Sequence, residues 1–181
     1  MPDGWAGADV GPVGLSGSAT YNNGTYTLQG AGADIYNNSD AFQFAYTQLS
    51  GDGTIIARVA SLTNTDANSK AGIMIRDTLA ANAKEASVVV TPSNGIKFLR
   101  RTSTGGSTSS TTVSSLKAPM WLKLVRSGST FTSYYSTNGT SWTLIGSQTI
   151  SMGTTVYIGL AVTAHKTTAL ATGTFDNVSI G

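Results

Sequence analysis

Apolar and polar side chains alternate with a period of two along most of this chain. In the run FQFAYTQL, Phe42, Phe44 and Tyr46 share one face, whereas Ala45 and Leu49 share the other. Comparable runs recur roughly every ten residues, separated by turns rich in Gly, Asn and Ser. Short strands at this spacing predict an all-β fold, a two-sheet antiparallel β-sandwich.

The predicted strands and turns follow each other closely. The strands are Phe42–Leu49, Thr54–Leu62, Ala71–Arg76, Ser87–Thr91, Ile96–Thr102, Trp121–Gly128, Phe131–Ser136, Ser141–Ser147, Val156–Ala164 and Ala171–Ile180. Asn94-Gly95 and Asn138-Gly139 predict hairpin turns, because this dipeptide tolerates positive φ angles. The segment Thr102–Thr111 predicts a flexible tip, and Asp77–Ala86 predicts at most a short helical turn at the surface.

The composition favours strands and excludes several classes of function. Only 11% of the residues are charged, against about 25% in an average protein. The chain has no cysteine, so neither a disulfide nor a thiolate metal site is available. Its 11 basic residues are scattered, whereas nucleic-acid binding needs a clustered basic patch. We expect one domain over residues 1–181, with residues 1–4 as a linker or an added start.

The sequence also bears on where the protein works. No long apolar run is present, so we expect neither a membrane-spanning segment nor a signal peptide within these residues. Low charge and abundant Ser, Thr and Gly are typical of secreted bacterial domains. We therefore expect an extracellular protein whose export signal lies outside this chain.

Several phrases of the sequence carry a family resemblance when taken together. They are GAGADIYNNSDAFQFAYTQLSGDGTIIARV, KAGIMIRDTL, FTSYYSTNGTSWTLIGS, VYIGLAVTAH and TFDNVSI. They resemble a family of concanavalin A-like (laminin G-like) β-sandwich domains, which are accessory modules of large secreted bacterial polysaccharide-active proteins. The resemblance covers Trp5–Ile180 and implies two curved sheets, a concanavalin A-like jelly roll. In many relatives one phrase reads Asp-Ile-Trp-Gly, whereas here it reads Asp34-Ile35-Tyr36-Asn37, with a smaller aromatic residue.

The resemblance implies a non-catalytic carbohydrate-binding module. Such a module binds a polysaccharide on its concave face or rim loops and targets a parent enzyme on the same chain to its substrate. The implied partners are a polysaccharide and the parent enzyme domains, with no nucleic acid and no membrane, and the module is expected to be a monomer. The alternative is a structural or adhesion spacer without a sugar site, which predicts that outward positions such as Met74, Val89 and Trp121 are either covered or not connected to one another.

A polysaccharide hydrolase or lyase is the less favoured alternative. Retaining glycosidases need two carboxylates about 5–5.5 Å apart, but no strand carries acidic residues at alternating positions, and Glu85 stands alone. A lyase needs a Tyr or His base beside a group that neutralises the carboxylate, and His165 is the only histidine. We therefore expect no enzymatic activity.

Arg76 ends the most apolar strand of a chain that has few charges. In AGIMIR, Ile73 and Ile75 face one side and are expected in the core, which places Arg76 on the opposite, concave face. Two interpretations of Arg76 stay open. It contacts a ligand, or it forms an ion pair with Asp77 or Asp40 that pins a loop.

The strand IKFLRR supplies further basic candidates for ligand binding. Lys97, Leu99 and Arg101 share one face, and Phe98 and Arg100 share the other. Lys97 and Arg101 are suited to bind the carboxylates of an acidic polysaccharide, and Arg100 is kept as a third candidate. The alternative is a solvated strand edge that is protected by its charge.

Aromatic and amide side chains complete the candidate ligand site. Sugar rings stack on aromatic faces, and amides hydrogen-bond their hydroxyl groups. Tyr36 and Asn37 lie in a polar loop that is either a binding rim or a structural turn. Trp121 and His165, which lie at strand ends, are the remaining candidates, whereas Trp142 is predicted to be in the core.

One structural Ca²⁺ is the only cofactor that the sequence suggests. Calcium takes about six to eight oxygen ligands, often from Asp and Asn. The candidate carboxylates are Asp9, Asp34, Asp40 and Asp176. Asp9 and Asp176 would meet if the first and last strands of the sandwich pair.

Overall fold

Sixteen β-strands build the protein, which is described over residues 1–181 by a computed structural model. The strands are β1 Ala6–Val10, β2 Ser18–Asn22, β3 Thr25–Gly32, β4 Ile35–Tyr36, β5 Ser39–Asp40, β6 Phe42–Ser50, β7 Gly53–Leu62, β8 Lys70–Arg76, β9 Glu85–Val90, β10 Ile96–Arg101, β11 Ser109–Val113, β12 Met120–Ser127, β13 Thr130–Ser136, β14 Thr143–Thr149, β15 Thr155–Thr163 and β16 Lys166–Ile180. The segment 77–84 forms turns and bends rather than a helix. The structure has no helix of the length and apolarity needed to cross a membrane.

Two antiparallel seven-stranded sheets confirm the predicted sandwich. The first sheet has the order β1-β6-β15-β8-β9-β10-β11, and the second has the order β14-β13-β12-β7-β16-β3-β2. A small hairpin, β4–β5, belongs to neither sheet. Part of the predicted flexible tip is ordered, because β11 pairs with β10 at the edge of the first sheet.

The main core lies between the two sheets and follows the predicted alternation. It contains 26 buried residues, among them Ile73 and Ile75 from β8 and Leu122 and Leu124 from β12. Full burial of an aliphatic side chain stabilises the fold by about 1.5–3 kcal/mol. The inner faces of both sheets are therefore committed to holding the sandwich together, which leaves the outer faces for function.

The outer face of the first sheet carries a second apolar cluster. Phe42, Phe44, Met74, Val89 and Leu99 are all buried there. The β4–β5 hairpin and the 77–84 segment cover them, since Ile35 and Leu79 pack against the same cluster. The centre of the predicted concave binding face is thus closed by the protein itself.

The neck of the β4–β5 hairpin needs glycine at one position. Gly32 ends β3 with φ +116°, and a Cβ there would lie 2.0 Å from the carbonyl oxygen of Ala41. The Thr163 hydroxyl is 3.1 Å from the Gly32 carbonyl and 2.9 Å from that of Ala41. This close approach lets residues 33–41 fold out of the second sheet and across the first.

The terminal strands do not pair with each other, so the condition under which Asp9 and Asp176 would meet is not fulfilled. β1 lies at one edge of the first sheet, against β6. β16 lies inside the second sheet, between β7 and β3. Asp9 and Asp176 therefore belong to different sheets and do not form one site.

Candidate functional site

A buried ionic cluster, here called the arginine clamp, holds the β4–β5 hairpin onto the first sheet. Its members are Asp40, Arg76, Glu85 and Arg101, all at most 1% exposed. Asp40 Oδ2 accepts hydrogen bonds from Arg76 Nη1 at 2.6 Å and Arg101 Nη1 at 2.8 Å, and its Oδ1 accepts from Arg101 Nη2 at 2.7 Å. Burying these charges is possible because each guanidinium meets the carboxylate in hydrogen-bonding geometry.

Further hydrogen bonds from the two clamp arginines fasten two segments to the first sheet. Arg76 Nη2 donates to the carbonyls of Ala80 and Ala81, at 2.7 and 2.9 Å. Arg101 Nη2 donates to the carbonyls of Tyr36 and Asn37, at 3.0 and 3.2 Å. The clamp therefore fixes the hairpin tip and the 77–84 segment in one arrangement.

Glu85 is the one member of the clamp whose side chain forms no hydrogen bond. It lies between Arg76 and Arg101 in register across β8, β9 and β10, yet both of its oxygens are buried without a hydrogen-bond partner. Burial first, and then the charge of Asp40, raise the pKa of Glu85 to about 8, against the opposing effect of Arg76. At neutral pH the Glu85 carboxyl is therefore mostly protonated.

The clamp corrects two of the predicted ligand residues. Arg76 and Arg101 do point to the outer face of the first sheet, but both are fully buried and occupied by protein acceptors. The open interpretation of Arg76 as a loop-pinning ion pair is confirmed, with Asp40 as its partner. Arg100 points to the opposite face of β10, where its guanidinium lies over the Phe98 ring and its Nη1 donates to the Thr111 hydroxyl at 2.7 Å. Arg100 therefore does not share a site with Arg76 and Arg101.

An open polar groove lies beside the hairpin on the same outer face. Its volume is about 320 Å³, and its lining is polar apart from one aromatic ring. The lining residues are Asp34, Tyr36, Asn68, Lys70, Lys97, Ser110, Thr112 and His165. The groove therefore brings together three of the predicted ligand residues, Tyr36, Lys97 and His165, with the predicted metal ligand Asp34.

The floor of the groove is organised around Asp34. Its Oδ1 accepts hydrogen bonds from Lys70 Nζ at 2.6 Å and from the Ile35 backbone N–H at 2.8 Å. Its Oδ2 lies 3.3 Å from Nδ1 of His165, whose backbone takes a left-handed φ of 58°. Lys70 is almost fully buried and also donates to the carbonyl of Asn68 at 3.0 Å. This network sets the position of the charges on the groove floor.

Lys97 is the half-buried cation of the groove. Its Nζ donates to the Thr112 hydroxyl at 3.2 Å. Burial and the nearby charge of Lys70 lower the pKa of Lys97, and Asp34 opposes them more weakly. The ammonium group of Lys97 is thus able to donate further hydrogen bonds to a ligand, because its one side-chain partner in the protein is the Thr112 hydroxyl.

Tyr36 forms the rim between the groove and the clamp. Ile35 points down into the apolar cluster, so its neighbour Tyr36 points outward, with 36% of its surface exposed. Asn37 lies at the hairpin turn with φ 48° and lines a separate hollow of about 230 Å³ on the other side of Tyr36. The Asn37 carbonyl is occupied by Arg101 and Thr108.

The tryptophans lie away from the groove. Trp121 is half-buried on the outer face of the second sheet, and Gly139 lies so close that a Cβ added there would be 2.8 Å from the Trp121 ring. Trp142 is also half-buried, with Lys123 Nζ 4.6 Å from its ring centroid, so its predicted place in the core is wrong. Lys123 lies equally close, at 4.5 Å, to the Tyr134 ring. Trp121 is therefore not part of the groove.

The four carboxylates proposed for calcium do not fit one metal site. Asp34 and Asp40 are occupied as described above, Asp176 forms a bidentate pair with Arg58 at 2.7 and 2.8 Å, and Asp9 accepts from Gln43 and the Gly17 N–H. No three metal-ligating side chains of the His, Cys, Asp or Glu types converge anywhere in the structure. A structural Ca²⁺ stays a prediction without a ligand set.

Comparison of the sequence finds no match, whereas comparison of the structure finds proteins with a similar fold. No protein-family model and no curated protein matches the chain. A functionally unknown protein from Saccharomyces cerevisiae superposes with a TM-score of 0.72 at 16% identity, over 91% of each chain. The carbohydrate-binding module CBM66 from Bacillus subtilis gives 0.61 at 18% identity, over 98% of this chain and 94% of that one. The lectin UEA-II, complexed with galactose, gives 0.63 at 7% identity, over 99% and 94%.

These likenesses define the class of fold. The chain is a two-sheet antiparallel β-sandwich, a fold that it shares with a carbohydrate-binding module and with lectins. Identities below 20% leave the ligand of this chain to be argued from its own residues.

Sequence reasoning missed several groove residues. Lys70 alternates with Met74 and Arg76 on β8, so the period of two was enough to place it on the outer face. Ser110 and Thr112 lie on β11, within and just beyond the segment predicted as a flexible tip. The pairing of β11 with β10 brings them next to Lys97, but a Ser/Thr-rich segment has no hydrophobic alternation from which this pairing could be predicted.

Proposed function

We propose that this chain is a non-catalytic carbohydrate-binding module and that the groove beside Tyr36 holds the saccharide. The observation that carries the proposal is the convergence of one exposed aromatic ring with hydroxyl, amide and charged side chains in an open groove of about 320 Å³. Pockets with a few convergent polar groups are the usual sites for small ligands. The C–H face of a sugar ring suits Tyr36, and the polar groups orient its hydroxyls.

The shape of the groove fits a polymer rather than an enclosed small molecule. The groove lies open on the outer face, at the end of β10 and β11, and a chain passing through it would keep most of its hydroxyl groups in water. Hydroxyl contacts with the protein largely replace contacts with water, so each contributes little net affinity. We expect modest affinity for one site, which is sufficient when the module is tethered to an enzyme.

The named structural relatives support this class of function at a coarse level. One is called a carbohydrate-binding module, and another is a lectin complexed with galactose. Together with the family resemblance of the sequence, they favour a secreted module that brings parent enzyme domains to a polysaccharide. We also propose that the module is a monomer and that it acts outside the cell.

The groove does not offer the pair of carboxylates that a retaining glycosidase uses. Asp34 is its one acidic residue. Asp40 is the acidic neighbour across the hairpin, but it is buried and held by two arginines. An acid and a nucleophile about 5–5.5 Å apart, both open to substrate, are therefore not assembled there. Binding without bond cleavage is the function that this arrangement supports.

Affinity gel electrophoresis tests the proposal against a panel of neutral and acidic polysaccharides, with and without EDTA. Wild-type protein is expected to be retarded by at least one polymer, and Tyr36→Ala is expected to weaken that retardation about tenfold by removing the stacking face. Tyr21→Ala is the matched control, because Tyr21 has a similar exposure of 38% but lies in a different part of the surface, on β2. Equal loss in both variants would contradict the assignment of the groove.

One observation favours the spacer alternative. Met74 and Val89 are fully buried beneath the hairpin and its neighbouring segment, so the middle of the concave face offers no binding surface. A spacer would show no retardation by any polymer in the panel. The same electrophoresis experiment therefore distinguishes the two functions.

A further inference from the structure

The charges lining the groove are unbalanced. Lys70, Lys97 and His165 face a single carboxylate, that of Asp34. One oxygen of that carboxylate accepts a hydrogen bond from Lys70, and the other lies 3.3 Å from Nδ1 of His165, which has no hydrogen-bond partner. With His165 neutral, the two lysines and one aspartate leave a net charge of +1 in the groove.

The excess positive charge resides on Lys97. Lys70 satisfies its ammonium group with Asp34 and the Asn68 carbonyl. Lys97 has only the neutral hydroxyl of Thr112 for a side-chain hydrogen bond, and an ammonium group has three protons to donate. It is half-buried, so it has lost part of its hydration without gaining an ion pair.

The surroundings of Lys97 fit a sugar that carries an anionic group. Tyr36 offers a ring face on the rim, and Ser110 and Thr112 offer hydroxyl groups on β11. Lys97 lies in register with Thr112 across the strand pair, so this part of the groove is held by backbone hydrogen bonds rather than by a loop. A carboxylate or sulfate group at Lys97 would complete its hydrogen bonds while the sugar ring lies against Tyr36.

We propose that the saccharide bound in this groove is acidic, with its carboxylate or sulfate substituent paired with Lys97. The inference rests on the proposed function and gives it a ligand class. Neutral polysaccharides lack the partner that Lys97 requires, so they bind more weakly than an acidic polymer with the same backbone. Uronic acid polymers and sulfated galactans are the two sources of this chemistry.

The test compares two polymers that share a backbone but differ in whether their carboxyl groups are charged or methyl-esterified. Polygalacturonate and its fully methyl-esterified form share a backbone, and alginate and carrageenan add a second carboxylate polymer and a sulfated one. We expect retardation by polygalacturonate, alginate or carrageenan, and at least about tenfold weaker binding to the esterified polymer, as for loss of one charge-assisted hydrogen bond. Whether carboxylate or sulfate polymers bind better identifies the substituent.

Two charge variants test the role of Lys97. Lys97→Gln is expected to weaken acidic polymer binding about tenfold and to reduce its dependence on salt. Lys123→Gln removes the same charge from a half-buried lysine on the second sheet, and it is expected to bind as wild type does. Thermal melting of both variants checks that each is folded.

The outcomes separate the inference from the proposed function. Equal retardation by the acidic and esterified polymers, or binding to neutral polymers alone, overturns the acidic ligand and leaves the binding module in place. Equal losses in Lys97→Gln and Lys123→Gln overturn it as well, because they indicate general charge attraction. No retardation by any polymer overturns both.

Discussion

Removing the one charge that holds the arginine clamp together is expected to be costly. Asp40→Asn keeps the size of the side chain but leaves the guanidinium groups of Arg76 and Arg101 buried without a carboxylate partner. Breaking a buried ion pair by neutralising one partner typically costs about 3–5 kcal/mol. Asp40 accepts three hydrogen bonds from the two arginines, so the upper part of this range would apply if nothing else responded.

Glu85 is positioned to respond and to reduce that cost. The charge of Asp40 is one of the causes that raise the pKa of Glu85, so Asp40→Asn lowers that pKa and allows Glu85 to ionise beside both arginines. We therefore expect a loss of about 3 kcal/mol at pH 7, near the lower end of the range. With a urea m-value of about 2 kcal/mol/M, the unfolding midpoint would fall by about 1.5 M.

Urea denaturation of the single and double variants measures this compensation directly. At pH 7 Glu85→Gln alone should stabilise the protein by about 2 kcal/mol, because it removes the cost of keeping the Glu85 carboxyl protonated. In the Asp40→Asn background, where Glu85 carries the compensating charge, the same substitution should instead cost at least about 1 kcal/mol. Asp176→Asn is the control, because its pair with Arg58 is partly exposed and is worth about 0–1 kcal/mol. The reasoning fails if Asp40→Asn costs less than about 1 kcal/mol, or if Glu85→Gln has the same effect in both backgrounds.

Two further predictions concern stability. Because the folded-state pKa of Glu85 is raised to about 8, its contribution to stability is full at acidic pH and is lost as the pH rises toward 8. Urea unfolding from pH 5 to 8 should show that the free energy of unfolding falls by about 1 kcal/mol per pH unit. Glu85→Gln should remove this fall, and an unchanged slope in that variant would contradict the assignment. Gly139→Ala should destabilise the protein by about 1–2 kcal/mol, because φ is +78° and the new Cβ would lie 2.8 Å from the Trp121 ring. Gly128→Ala has a similar φ of +62° in open space, so thermal melting of both variants isolates the contact with the ring, and equal losses would exclude it.

The period of two allowed the sequence to predict the strands and their faces. Ile73 and Ile75 are in the main core, whereas Arg76 lies on the outer face, as the alternation predicted. Lys97 and Arg101 also share one face of β10, as predicted, and the structure shows that it is the outer face. These features could be predicted because facing is a local property of a strand, set by residues two positions apart.

What covers each face could not be predicted in the same way. Arg76 and Asp40 are 36 residues apart in the sequence, and Arg101 and Asp40 are 61 apart. The pairing depends on residues 33–41 leaving the second sheet and crossing the first, which no local pattern encodes. Half of the basic residues proposed for the ligand therefore proved to be structural, since Arg76 and Arg101 are buried while Lys97 and Arg100 are not.

The clamp and the groove are joined through the β4–β5 hairpin, although only the groove is open to a ligand. Tyr36 and Asp40 lie on the same short hairpin, one on the rim of the groove and the other inside the clamp. Arg101 joins them directly, because it pairs with Asp40 and donates a hydrogen bond to the Tyr36 carbonyl. An aromatic residue on a surface turn would otherwise lose conformational freedom when it stacks on a sugar, and that loss would weaken binding. The buried charges fix the Tyr36 backbone before any ligand arrives, and under the proposed function this would let a shallow groove with few contacts bind a flexible polymer.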